Sequence, residues 1–268
     1  MNRNTLAEIF ADTRSLCRTN AALSAACARS REVHSFYQAS EKIGCVRERF
    51  ESEAEVIVSR KRTFEAAEAH ARAGMKVAAL NFANSYEPGG GVVHGAGAQE
   101  ECLCRVSTLY DSLSSPEMME RFYLPHRKAG DDLATDDIIY TPSVIVFKSD
   151  IAEPHLRPEP EWFSADVITC AAPHLRHGVP APNADALLKM HESRGRRILD
   201  AACKHGADAV VLGAFGCGAF SNPPEVVAAA YKNLLPDYRR AFRAIEFAVF
   251  CRDFETQNYD VFAAVLGR

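Results

Sequence analysis

The chain has 268 residues, 47% hydrophobic and 25% charged, enough apolar material for one large domain or two small ones. A formal net charge of -4 argues against broad nucleic-acid binding and leaves room for a local basic pocket. Nine cysteines, scattered from Cys17 to Cys251, follow no disulfide framework and are odd in number, so reduced, mostly buried thiols in a cytoplasmic protein are expected.

Near the start, Glu8 and Asp12 fall where a signal peptide would need an apolar core, and no stretch reads as a secretion signal or membrane span. Leu6, Ile9, Phe10, Thr13 and Leu16 recur at helical spacing and predict a helical lead-in over residues 3–29. Residues 55–59 read as a short strand and 63–73 as a helix. The run 76–84 reads as a buried strand that empties into Pro88-Gly89-Gly90-Gly91. A helix is expected from Gln99 to Leu113, with Leu103, Val106, Tyr110 and Leu113 on one face. Segment 114–136, holding Pro116, Met118, Met119, His126 and Gly130-Asp131-Asp132, reads as an insertion. Beyond it, 138–147, 167–171, 209–213 and 245–251 read as strands, and 184–205, 223–234 and 258–266 as helices. This alternation favours one α/β domain, a sheet covered by helices on both faces, with no internal repeat or linker.

Two glycine-rich loops carry the chemistry. The first, Pro88 to Glu101, sets three consecutive glycines and two more ahead of Gln99 and the pair Glu100-Glu101. Such glycines let backbone N–H groups approach a ligand closely, so an anion with an acid held over it is expected there. The second loop leaves strand 209–212 as Gly213-Ala214-Phe215-Gly216-Cys217-Gly218-Ala219-Phe220. It leads into a helix with Asn222 as N-cap, Pro223 at the first helical position and Glu225 completing a capping box. A strand, a glycine turn and a helix N-terminus in that order hold phosphate, and two converging loops point to a diphosphate. The P-loop ending and the dinucleotide fingerprint are both missing.

Taken singly, each feature has an ordinary explanation. A Glu-Glu pair opening a helix is usually a solvated cap, and Phe220 alone would be core. Cys217 lacks a histidine partner and reads as an incidental thiol on a backbone phosphate site. Cys102-Leu103-Cys104 lacks metal-ligand spacing, so no metal is expected. His94 reads as facing solvent, His174 and His177 as loop residues, and Arg194-Gly195-Arg196-Arg197 as a solvated helix face.

In combination, Gly89-Gly90-Gly91, seven residues, then Gln99-Glu100-Glu101, flanked by Asn81-Phe82-Ala83-Asn84 and by Gly213 to Phe220, resemble the poly(ADP-ribose) glycohydrolases, particularly their compact bacterial-type branch. The resemblance implies a macrodomain-like α/β/α three-layer sandwich with a mixed central sheet over residues 51–268, and a helical N-terminal extension over 1–50 packed on that core. It implies hydrolysis of the ribose–ribose O-glycosidic bond of poly(ADP-ribose), releasing ADP-ribose, without a cofactor. On the matching positions it makes Glu101 the general acid and base, and Glu100 and Asn84 the holders of the distal ribose hydroxyls. Gly89, Gly90 and Gly91 would line the phosphates, joined by the backbone N–H groups of Gly216, Cys217 and Gly218. Gln99 and Ala219 belong to the same substrate site, Phe220 packs on the ribose, and the last strand near Phe250 borders adenine. A mono-ADP-ribosyl-acceptor hydrolase acting on an ADP-ribosylated protein would use the same pocket. So would a non-hydrolytic ADP-ribose reader, which has no use for Glu101, or a nucleotide-binding structural module.

Overall fold

A computed structural model describes residues 2–176 and 181–267, so His177 lies outside the described residues. The N-terminal lead-in divides into α1 (Arg3–Thr19) and α2 (Ala21–Val33). Asn20 causes the break: it ends the first helix and caps the second, its side chain accepting from the N–H groups of Ala22 and Leu23.

The sheet comprises β1 (Ser35–Tyr37), β2 (Glu55–Ser59), β3 (Val77–Ala83), β4 (Ile138–Val146), β5 (Phe163–Ala171), β6 (Ala209–Leu212) and β7 (Ala244–Ala248). Their order is β1-β4-β5-β3-β6-β7-β2. The five strands from β5 to β2 run parallel, whereas β4 pairs antiparallel with both β5 and β1, so the sheet is mixed. Residues 1–50 therefore supply an edge strand as well as helices. β5 begins earlier than the expected 167–171, and β7 stops at Ala248, where the chain turns out of the sheet.

Period-two alternation divides β3 between two cores: Val77 and Ala79 enter one, Ala78 and Leu80 the other. The first core lies beneath α1, α3 (Thr63–Arg72), α4 (Gln99–Val106), α5 (Leu109–Leu113) and α6 (Pro116–Met118). Next in the chain come α7 (Leu124–Ala129), then α8 (Ala184–Lys204), α9 (Pro224–Leu234) and α10 (Gln257–Leu266), the last three covering the second core. Helices thus cover both faces of the sheet, giving the macrodomain-like three-layer arrangement.

One expectation needs correction. The helix expected over 99–113 breaks at Ser107, which turns extended and bridges Val146 of β4, separating α4 from α5. The segment 114–136 anchors itself through Met118, Phe122 and Tyr123, which are fully buried, the last two from a single π-helical turn, Met119–Tyr123, that joins α6 to α7. Among the described residues no helix is long and apolar enough to cross a membrane.

Candidate active site

β3 lies at the centre of the sheet; after it the chain builds β4 and β5 on one side and then crosses to β6 on the other, so the loops at the carboxyl ends of β3, β5 and β6 diverge and leave a crevice. A cleft of about 1320 Å³ opens there. Its walls include Arg62 after β2, Asn84 after β3, Ala172 after β5, Gly218 after β6, Phe250 after β7, and Glu101 in the first turn of α4.

Glu100 and Glu101 are adjacent, both buried, and differently held. Glu100 is anchored by both oxygens: Oε2 accepts from Asn84 N–H at 2.7 Å and Oε1 from the Asn81 side-chain amide at 3.2 Å. Burial pushes its carboxyl up to about 8, opposed by those two donors and reinforced by the neighbouring Glu101. Glu101 Oε1 accepts from Gly91 N–H at 2.9 Å, while its buried Oε2 has no partner among the described residues. One oxygen of Glu101 is thus fixed by the loop and the other is left unpaired.

The glycine loop holds this carboxylate. Gly90 and Gly91, expected with Gly89 to line phosphate, stand against the Glu101 carboxyl. Gly90 has φ +56, and a Cβ there would stand 2.6 Å from Glu101 Oε1, so the position needs both the conformation and the space that glycine provides. Gln99 also works inside the protein. Its amide donates to Leu80 O at 2.7 Å and Thr63 Oγ1 at 3.0 Å and accepts from Phe82 N–H at 2.9 Å. β3 pairs with β6 over Val77–Ala79, and beyond that stretch Gln99 serves as the partner that β6 no longer supplies. It lines the cleft, but its polar atoms are committed to seating α4 on β3. Asn84 Oδ1 accepts from the N–H groups of Tyr86 and Glu87, an Asx turn that shapes the loop leaving β3.

Opposite stands the loop after β6. Cys217 N–H, expected to face phosphate, donates to Ala214 O at 3.0 Å within the turn. The N–H groups of Gly216, Gly218, Ala219 and Phe220 take no backbone partner among the described residues. Burial pushes the Cys217 thiol up to about 12, leaving it a neutral thiol. The Phe220 ring is partly buried and meets His174 edge-on at 4.6 Å.

A family model for the catalytic domain of microbial-type PARG matches residues 5–149. The chain belongs to the microbial-type poly(ADP-ribose) glycohydrolase family. It is similar to the crystal structure of poly(ADP-ribose) glycohydrolase from Thermomonospora curvata, with 29% identity over 98% of this chain and 100% of that one, at a TM-score of 0.89. The Thermomonospora curvata structure bound to the inhibitor ADP-HPD is 30% identical over 98% and 99% of the two chains, at a TM-score of 0.87. The Deinococcus radiodurans glycohydrolase in complex with ADP-ribose is 32% identical over 90% and 96%, at a TM-score of 0.79. No curated protein matches the chain.

Beyond the motifs shared with the family, several side chains that shape the cleft were not legible as such. Asn222 is not the expected N-cap: Pro223 takes that place, and α9 starts at Pro224. The Asn222 amide instead donates to Pro173 O at 2.7 Å and Gly216 O at 3.1 Å, cross-linking the loops after β5 and β6. Asn81 is the one polar side chain in the otherwise apolar β3, and that exception was its available signal. Arg194 is buried, not solvated, and bonds Asp136, Ala171 O and Leu133 O, while Arg197 bonds backbone carbonyls of residues 37, 38, 41 and 136. This basic run clamps α8 onto its neighbours and is spent on structure. His94 is exposed, and Phe250 stands at the cleft rim with the Arg62 guanidinium 4.1 Å from its ring centre.

Proposed function

We propose that this chain hydrolyses the ribose–ribose O-glycosidic bond of poly(ADP-ribose) and releases ADP-ribose, with Glu101 as general acid and then general base. The observation that carries the assignment is the buried Oε2 of Glu101, unpartnered among the described residues, on a cleft-lining residue whose other carboxyl oxygen is fixed by Gly91 N–H. Protonated on Oε2, Glu101 gives its proton to the departing ribose oxygen as the anomeric carbon–oxygen bond breaks. The resulting carboxylate takes a proton from the attacking water, which restores the acid and completes the hydrolysis.

The other groups fit a terminal ADP-ribose unit. The N–H groups of Gly216, Gly218 and Ala219 suit the diphosphate, and Glu100 with Asn84 suits the distal ribose hydroxyls. Phe220 offers a face for that ribose, and Phe250 at the rim one for adenine. ADP-ribose is bound by the Deinococcus radiodurans relative, which supports it as this chain's product. The free cysteines support a reducing, cytoplasmic setting.

The test is release of ADP-ribose from purified poly(ADP-ribose) by wild type and Glu101→Gln, with ADP-ribose affinity measured on both. Turnover by the wild type alone, with affinity kept in the variant, is expected. Binding by both without turnover by either would make the chain a reader or a mono-ADP-ribosyl-acceptor hydrolase.

A further inference from the structure

Arg105 lies one helical turn beyond Glu101 on α4 and is 1% exposed. Its guanidinium donates from Nε to Leu6 O of α1 at 3.1 Å and from Nη2 to Ala96 O, the end of the glycine loop. Ala96 N–H donates to Gly91 O at 3.1 Å, and Gly91 N–H donates to Glu101 Oε1 at 2.9 Å. The chain of bonds therefore closes on itself: from α4 through the guanidinium to Ala96, on to Gly91, and back to a carboxyl of the same helix.

Helix α1 forms the outer wall of this ring. Thr13 Oγ1 donates to Arg105 O. At Gly95, φ is +69 and a Cβ would fall 1.8 Å from Arg3 O, so the first turn of α1 sits directly on loop backbone. A buried guanidinium carries a desolvation cost that an apolar side chain of similar size would avoid, which makes a purely stabilising role a poor reason to place one here. Its rigid fork reaches two carbonyls on separate segments, and a lysine cannot reproduce that geometry.

We propose that Arg105 is a positioning residue for hydrolysis, clamping residues 91–96 between α4 and α1 so that Gly91 N–H fixes Oε1 of Glu101 and leaves Oε2 unpaired. It makes no contact with substrate. The proposal rests on Glu101 being the acid.

The experiment uses the full chain carrying Arg105→Lys, Arg105→Gln, Glu101→Gln and the Glu101→Gln/Arg105→Gln pair, with kcat and KM on poly(ADP-ribose), ADP-ribose Kd and thermal midpoint measured on each. Arg105→Gln is expected to lower kcat by about a hundredfold, the scale of a misplaced catalytic group, with ADP-ribose Kd unchanged within about twofold. Arg105→Lys falls between that variant and wild type. On the Glu101→Gln background the arginine change has no further effect on the residual rate, because the group it positions is gone. A kcat loss no larger than the loss of folded protein, a matching loss of Kd, or full additivity with Glu101→Gln would overturn the clamp. If Arg105→Gln does not fold, Arg105→Lys decides by the same comparison of kcat with Kd. Wild-type turnover in Glu101→Gln would remove the acid assignment itself. A dead Glu101→Gln beside unchanged Arg105 variants would remove only the clamp.

Discussion

His191 Nε2 and Asn222 Oδ1 meet at 2.9 Å beneath the loop that follows β6. The Asn222 amide nitrogen is occupied by the carbonyls of Pro173 and Gly216, so its oxygen is the acceptor and His191 the donor. Burial pushes the imidazole down to about 4, which keeps it neutral with the proton available on Nε2. Helix α8 thereby holds Asn222, and Asn222 holds the turn at Gly216.

Asn222→Ala should leave Pro173 O without its donor and the buried His191 Nε2–H without its acceptor, while Gly216 O keeps the backbone N–H of residue 222, and cost about 1–3 kcal/mol of stability. Because the turn at Gly216 carries the free N–H groups, ADP-ribose affinity should fall by about tenfold or more, equivalent to about 1.4 kcal/mol. Denaturant unfolding and titration calorimetry on the same preparations check both. Unchanged affinity in a destabilised protein would detach Asn222 from the binding site.

The difference between what was and was not legible in the sequence follows from the range of the interactions. β2, β3, β6, α3, α8 and α9 all fall close to their expected bounds because their signals are local: apolar period, a capping residue, a glycine exit. The two loops stood out for the same reason. Asn222 misled because Asn-Pro-Pro satisfies a local capping pattern, whereas its partners at residues 173, 191 and 216 come together only in the folded chain. Arg194 misled because a run of arginines on a helix looks solvated until the Asp136 loop packs over it. The stretch 116–129 changes from α-helix to a π turn and back, so no single period runs through it. Gly95, read with its neighbours as ligand-facing, instead admits α1.

Cys217 lines the cleft, yet its thiol is pushed up to about 12 by burial and its side chain packs against the second core. Cys217→Ala should keep kcat within about threefold of wild type, since neither a nucleophile nor a backbone donor is lost. Iodoacetamide should label the native thiol slowly at neutral pH. Rapid labelling that abolishes turnover, together with an inactive alanine variant, would return the thiol to the chemistry.

Gly90→Ala places a methyl group 2.6 Å from Glu101 Oε1 on a backbone at φ +56. The carboxyl or the strained loop that holds it must shift. Turnover should fall by about a hundredfold, the scale of misplaced catalytic groups, while ADP-ribose binding changes little. Steady-state rates and calorimetry decide it. A parallel loss of binding would instead mean that Gly90 faces the diphosphate, as the sequence alone implied.

Glu100 gives the site a distinctive pH dependence. Its carboxyl is raised from 4.5 to about 8, chiefly by burial, so over that window the folded protein keeps a proton that the unfolded chain has lost. Stability from this group is fully present below the unfolded value and is lost as pH rises toward the folded one. Glu100→Gln removes the titration. The Asn81 Oδ1, buried without a partner, is an acceptor for the new amide after a flip of the Asn81 side chain, so the variant should fold. The melting temperature of Glu100→Gln relative to wild type should therefore climb steadily in the variant's favour across the window from 4.5 to about 8. A difference that stays flat with pH would mean that Glu100 is already ionised in the folded protein, with its charge carried by the Asn84 and Asn81 donors.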